Sequence, residues 1–586
     1  MGRGKIAGLV KLVSVTLLSA ASALGAQDLT YLNAKPGVEY VGSRACAGCH
    51  AKIYQSYTTT AMGRSMDRAS SPRQLDSLSF TASVFAEKLN RHYDVYRQGQ
   101  NVFESEYELG ADRREVFRTT HKLEYVIGSG VNGYTYIVQR GDHLFQAPLS
   151  YYSRQQAWDL SPGYESADYG FNRPVAAACI YCHSGQPQPV PDREGMFANP
   201  PFRELAIGCE NCHGPGALHV AEQSQPNSSS PKPNHTIVNP AKLPARLAED
   251  VCMNCHQGGD TKIVLPGKSY AGFRPGIPLR DTVAILRVPP KRDDPRESDL
   301  LEHHFSMQLS KCFLASDGRL SCLTCHKIHS MPQPAEAGAF YRSRCLSCHA
   351  ASACKLTKAE RRQNDDHCTD CHMPKRDVRL IAHSALTNHR IVARAGEALP
   401  EAAFHQTTPD LPDLVYLNRA STGRASLPPV VLLQAYGELM DRYPDYRARY
   451  FSVLDDLAKT TPDQPLVQAA LGRKALLGNE SNDSAIQHLT RAIQLGFTAT
   501  AVYQDLAEAL VRSGREAEAV VTLRQGIELA PYVPVLYKLL ALRLINLKQY
   551  PDARKTLERY VELFPEDDFV RGLLLKVTHG DRAHAQ

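Results

Sequence analysis

From Phe80 to Phe145 polar residues alternate with aromatic and β-branched ones, as in Tyr93-Asp94-Val95-Tyr96 and Tyr134-Thr135-Tyr136-Ile137-Val138. A period of two sends successive side chains to opposite faces of a strand. Breaks at Gly99, Gly110 and Gly128 to Gly133 divide the stretch, which predicts a β-meander. The last third changes period. Ala485, Ala519 and Ala553 recur every 34 residues, and so do Leu489, Leu523 and Leu557, then Ile493, Ile527 and Val561, then Leu495, Leu529 and Leu563. Pro531 and Pro565 close two of the units.

A helical period of this length, with small residues at packing positions and a closing proline, is that of the tetratricopeptide repeat. Three repeats are expected from Pro465 to Pro565, with helical pairs from Pro428 as a degenerate fourth. Neighbouring pairs in such an array bury one another and leave a groove suited to a peptide or partner protein. Capping or dimerising the rest of the chain is the plainer use. Two other stretches, 223–234 and 289–302, are rich in Ser, Pro and Asn or in charge, and read as loops with solvated faces.

A third texture lies at the start. Arg3, Lys5 and Lys11 precede or flank an apolar run from Leu12 to Leu24, and small residues follow at Ala21-Ser22-Ala23 and Gly25-Ala26. This predicts a secretory signal cleaved after Ala23 or Ala26, with no integral membrane segment afterwards. The expected location is periplasmic or extracellular.

Composition matters mainly through cysteine. Fourteen of the 16 cysteines fall into seven C-x-x-C-H cassettes. They run Cys46-Ala-Gly-Cys49-His50, Cys179-Ile-Tyr-Cys182-His183, Cys209-Glu-Asn-Cys212-His213, Cys252-Met-Asn-Cys255-His256, Cys322-Leu-Thr-Cys325-His326, Cys345-Leu-Ser-Cys348-His349 and Cys368-Thr-Asp-Cys371-His372. This is the attachment signature of c-type haem: two thiols take the vinyl groups of one porphyrin, and the adjacent imidazole falls on iron. Zinc knuckles also repeat C-x-x-C, yet a knuckle has no reason to place His directly after every second Cys. Seven covalent haems are therefore expected. They account for a chain of 586 residues with one Trp, 37 Pro and 38 Gly, because haems fill a core that apolar side chains do not. Export agrees with this chemistry.

The formal charge of +6 points weakly to nucleic acid until the signal and the haems are counted. Losing Arg3, Lys5 and Lys11 leaves +3, and every haem adds two propionates, so no nucleic-acid partner is expected. Cys312 and Cys354 remain outside the cassettes, either as a disulfide or as two separate thiols.

The sixth ligand decides what each iron does: His or Met makes an electron carrier, and an open position binds substrate. His219, His329, His383 and His389 lie close to cassettes and are expected distal ligands, with His304 as a further candidate. His303, His235, His121, His143 and His367 stay in the inventory, whereas His92, His405, His488, His579 and His584 read as surface residues. Near the first cassette the only candidates in the next forty residues are Met62 and Met66, so that haem is expected either to take Met62 or to be open, with Met62 then a core residue.

The segment Glu210-Asn211-Cys212-His213-Gly214-Pro215-Gly216-Ala217-Leu218-His219 resembles exported multihaem c-type cytochromes, as do Cys371-His372-Met373-Pro374-Lys375 and Asn388-His389-Arg390-Ile391. These are related to hydroxylamine oxidoreductase and to the tetrahaem cytochrome that accepts its electrons. The order of elements is similar to cytochromes fused to tetratricopeptide repeats, from about residue 40 onward. The resemblance implies that the His after Gly-Pro-Gly, here His219, is a distal ligand. There is no C-x-x-C-K cassette, no eighth cassette and no tyrosine singled out for a haem crosslink, so catalysis by a relative's mechanism does not carry over.

The expected fold is mainly α and multi-domain. A signal (1–26) precedes a loop-rich multihaem cytochrome domain (27–395) with a β-rich insert near 76–150. A linker (396–427) and a helical repeat solenoid (428–577) follow. The expected function is single-electron transfer between redox partner proteins, with the solenoid docking a protein. The alternative is a multihaem oxidoreductase acting on a small nitrogen or sulfur species at one open haem.

Overall fold

The computed structural model describes residues 31–584 except 166, 227–234, 294–301, 363–364, 378–384, 405–410, 412, 420–425 and 479–480. The expected signal, and His383 with it, lie outside the described residues. No helix among the described residues is long and apolar enough to cross a membrane.

The alternating stretch forms a nine-stranded antiparallel sheet: β1 (Met66–Arg68), β2 (Thr81–Ala86), β3 (Arg91–Gln98), β4 (Asn101–Leu109), β5 (Glu115–Ile127), β6 (Gly133–Arg140), β7 (His143–Tyr152), β8 (Ala157–Leu160) and β9 (Arg173–Pro174). Strands β2 to β8 pair in chain order, while β1 joins β5 and β9 joins β7. Gly99 and Gly141, both with φ of +61°, open the two-residue turns of the β3–β4 and β6–β7 hairpins.

Both faces of this sheet are covered. Tyr93, Val95, Val126, Tyr136 and Val138 pack on one side with Leu75, Phe80 and Phe171. Their alternates Tyr125, Ile137 and Leu144 pack on the other with Met66, Phe197, Phe202 and Ile180. Ile180 sits between Cys179 and Cys182, so the sheet is the floor on which the second cassette rests.

The 34-residue spacing appears as antiparallel helix pairs: Pro465–Leu477 with Asn482–Gln494, Thr500–Arg512 with Glu516–Leu529, and Pro534–Asn546 with Tyr550–Leu563. Ala485, Ala519 and Ala553 have no exposed surface, and Leu489, Leu523 and Leu557 have at most 1%. A preceding pair, Pro429–Leu439 and Tyr446–Thr460, and a final helix, Asp568–His584, flank them.

The fold departs from a mainly α expectation. The cassette half holds a large sheet and short helical turns, because covalent sites need only one turn each and the loops between them carry no helical period. Within the stretch expected as a linker, Val415–Tyr416 is the third strand of a small sheet with Thr261–Val264 and Val283–Arg287. Leu414 is fully buried there, against the Pro429–Leu439 helix.

The solenoid is fixed to the large sheet by its inter-repeat turns. Arg193 Nη1 donates to Leu529 O (2.8 Å), and Asn172 Nδ2 donates to Leu563 O (3.3 Å), two carbonyls one repeat apart. The Arg140 guanidinium lies 4.6 Å from the Tyr532 ring centroid, and His143 packs on the same ring. At the far end Arg91 pairs with Asp168 (2.9 Å) and Glu108 (2.7 Å) and donates to Glu566 O (3.0 Å).

Candidate functional site

Each cassette occupies a short helical turn or the end of a helix: Ser43–Ala47, Ala177–His183, Cys209–His213, Ala245–His256, Cys322–Cys325, Pro334–Leu346 and Cys368–His372. In the first, fifth and sixth, the His N–H donates to the carbonyl of the first Cys at 2.9, 3.0 and 2.9 Å. Residues three and four apart share a helix face, so two thiols and one imidazole converge on one side. All fourteen cassette thiols are unbridged, and Cys312 and Cys354 are separate thiols as well.

Four cassette imidazoles face a second imidazole at nearly parallel inclination. His50 faces His219, with centroids 6.5 Å apart and planes 13° apart. His213 faces His329 (5.9 Å, 10°), His256 faces His303 (5.6 Å, 17°) and His326 faces His389 (6.2 Å, 26°). A metal–imidazole bond of about 2 Å on each face of one ion sets the ring centroids roughly 6 Å apart. The residues thus fit haem iron held between two histidines.

Second contacts fix the ring orientation. His213 Nδ1 lies 2.7 Å from Val238 O, His372 Nδ1 lies 2.6 Å from Val392 O, and His389 Nδ1 lies 3.0 Å from Thr387 O. A proton held on Nδ1 by a carbonyl leaves Nε2 with its lone pair for metal. Burial lowers the His183, His213, His219, His256 and His326 pKa values, takes His389 down to about 4 and His303 to about 2, and so favours the neutral, ligating form.

Glu210, inside the third cassette, organises the first pair. Its Oε1 accepts from Val41 N (3.0 Å) and Gly216 N (2.7 Å), and its Oε2 accepts from Gly42 N (2.7 Å). One buried carboxylate therefore joins the start of the Cys46 helix to the start of the His219 helix. Ser56, on the helix that follows His50, donates through Oγ to His329 O (2.7 Å) and helps to place that ring opposite His213.

Several expected ligands sit elsewhere than expected. His219, from beyond the third cassette, takes the place opposite His50 where Met62 or an open position was expected; Met62 is half-buried on the 3-10 turn Met62–Arg64. His304 is buried 2.9 Å from Glu249, and its neighbour His303 faces His256. Consecutive helical residues point about 100° apart, so one of the two can face the cassette, and the sequence does not say which. His329 faces His213 rather than its own cassette, because a three-residue loop returns the ring to the neighbouring site. His121 packs on Phe171, where burial lowers it to about 4, and His235 lies near Tyr31.

No family model matches the chain. Over 220 residues it is 22% identical to the multihaem cytochrome MtrA of Shewanella baltica, an alignment covering 36% of this chain and 48% of that protein. The chain thus spans about half the length of the curated relative it matches. Among solved structures, the first tetratricopeptide domain of human RPAP3 is 21% identical, with a TM-score of 0.19 and coverage of 21% of this chain and 95% of that one. A MamA RS-1 double mutant is 16% identical, with a TM-score of 0.24 and coverage of 27% of this chain and 88% of that one. The chain is similar to a multihaem cytochrome over about a third of its length and ends in tetratricopeptide-like helical repeats.

Proposed function

We propose that this protein is an exported seven-haem c-type cytochrome that passes single electrons between redox partner proteins, its repeat solenoid serving as a protein dock. The observation that carries the reading is the set of four facing imidazole pairs: His50 with His219, His213 with His329, His256 with His303, and His326 with His389. Paired histidines close both axial positions of an iron, which favours electron transfer over substrate binding. Haem c bound at such sites supplies a reversible one-electron Fe(III)/Fe(II) couple.

The chain's own part is to attach, orient and desolvate. The cassette thiols anchor, the Nδ1 contacts to Val238, Val392 and Thr387 aim the rings, and the sheet covers the second site through Ile180. Likeness to MtrA supports the multihaem part, and the Gly-Pro-Gly segment before His219 supports a tie to the hydroxylamine oxidoreductase group. Intact-mass analysis of protein purified from a host with haem-attachment machinery tests the proposal. The expected mass is that of the mature chain plus seven haems; a mass without covalent haem, or with zinc, contradicts it.

A further inference from the structure

The first two cassettes do not neighbour one another in chain order. The first sits on the third: the Ser43–Ala47 and Cys209–His213 helices touch, Cys209 N donates to Ser43 Oγ (2.8 Å), and His219 crosses from one to the other. The second sits on the fourth. There the Ala177–His183 and Ala245–His256 helices touch, and the Cys182 thiol donates to Asn254 O at 3.7 Å.

The fourth cassette has two more neighbours. Cys212 of the third packs among Leu247, Ala248 and Val251 on the fourth cassette's helix. The rings that face the fourth and fifth cassette histidines, His303 and His389, stack at 3.9 Å. From the fifth the path is serial, since the Cys322–Cys325 helix touches Pro334–Leu346, which touches Cys368–His372. Asn211 Nδ2 also donates to Gly185 O (2.9 Å), a side-chain tie between the segments of the second and third cassettes, whereas the Cys182 thiol reaches the fourth.

We infer that the seven sites form a branched array with the Cys252–His256 site as its junction, whose arms end at the Cys46, Cys179 and Cys368 sites. This rests on the seven-haem reading. A branched array has three ends for electron entry and exit instead of the two of a simple wire, which suits a protein that collects from two one-electron donors for one acceptor, or divides one supply. At each step one site is oxidised as its neighbour is reduced, and no atom is transferred.

The test uses the full-length loaded protein and two variants, C179A/C182A and C252A/C255A, each checked by mass for six haems. Sub-stoichiometric flash photoreduction then reads how much of the haem absorbance exchanges electrons in the fast phase. The expected result is that C179A/C182A keeps its remaining six haems in one fast pool, whereas C252A/C255A splits into three pools: the Cys179-site haem alone, the Cys46 and Cys209 sites together, and the Cys322, Cys345 and Cys368 sites together. Loss of the Cys46-site haem from the pool in C179A/C182A, as a chain-order wire requires, overturns the junction, as does a C252A/C255A protein whose six haems all stay in fast exchange. Should either variant fail to load, cryo-electron microscopy of the unmodified protein decides: the Cys179-site haem beside the Cys252-site haem supports the junction, and a position between the Cys46 and Cys209 sites overturns it. Fewer than seven haems by mass sinks the haem reading; seven haems with another adjacency sinks the junction alone.

Discussion

The rings of His303 and His389 stack 3.9 Å apart at 23°, and they face the cassette histidines His256 at 5.6 Å and His326 at 6.2 Å. Four imidazoles from four separate chain segments thereby form one cluster. The neighbouring residue His304 is buried against Glu249 and takes no place in it.

This separates two adjacent histidines by their effects. His303→Ala is expected to turn one low-spin ferric signal high-spin in electron paramagnetic resonance, with little change in folding. His304→Ala is expected to leave the spin states intact and to destabilise by about 1–3 kcal/mol, since Glu249 loses its buried partner. A high-spin signal from His304→Ala and none from His303→Ala reverses the assignment.

Glu210 is expected to act on a site to which it contributes no ligand. Glu210→Ala strands the N–H groups of Val41, Gly42 and Gly216, at a cost of about 2 kcal/mol or more. Because Gly216 starts the helix of His219, the first site loses its fixed distal ring. Thermal unfolding together with the low-spin signal of that site checks both effects, and Glu210→Gln, which keeps an acceptor, retains part of each.

The junction between solenoid and sheet is expected to weaken as pH rises. Burial, then Asp168 and Asp567, push Glu566 up from 4.5 to about 7, with Arg91 opposing; burial raises Glu106 in the same direction. A folded state that keeps protons the unfolded chain has already lost is most stable below the unfolded value of 4.5, and it loses that stability as pH climbs to about 7. The loss is about 3 kcal/mol. Unfolding of the solenoid measured from pH 5 to 8 checks this, and Glu566→Gln flattens the profile.

The repeat core is expected to be separable from the haem chemistry. Leu523, with no exposed surface, packs among solenoid residues alone. Leu523→Ala is expected to cost about 2–5 kcal/mol in the solenoid while the haem spectrum is unchanged. A spectral change on this substitution contradicts that independence.

The two periodic regions were legible because one burial rule governs each: alternate residues face opposite sides of the sheet, and every thirty-fourth residue meets the same neighbour. Ala485, Ala519 and Ala553 are buried alike for that reason. The cassettes were legible because the C-x-x-C-H spacing sets two thiols and an imidazole on one local stretch of chain. Their distal partners were not, since nothing local links His219 to His50 or His329 to His213. Those pairings depend on Glu210 and Ser56, whose contacts span more than 160 residues of chain in the case of Val41 and 273 in the case of His329. Nor could the sequence show that Val415–Tyr416 joins a sheet, because a two-residue strand has no period to read.

Electron paramagnetic resonance of the purified, fully oxidised protein tests the central claim most directly. Electron carriage at all seven sites, the four with paired imidazoles included, predicts low-spin ferric haem throughout, unaffected by added nitrite or hydroxylamine. A high-spin ferric signal that shifts on adding either one contradicts it and assigns the protein to catalysis at an open haem.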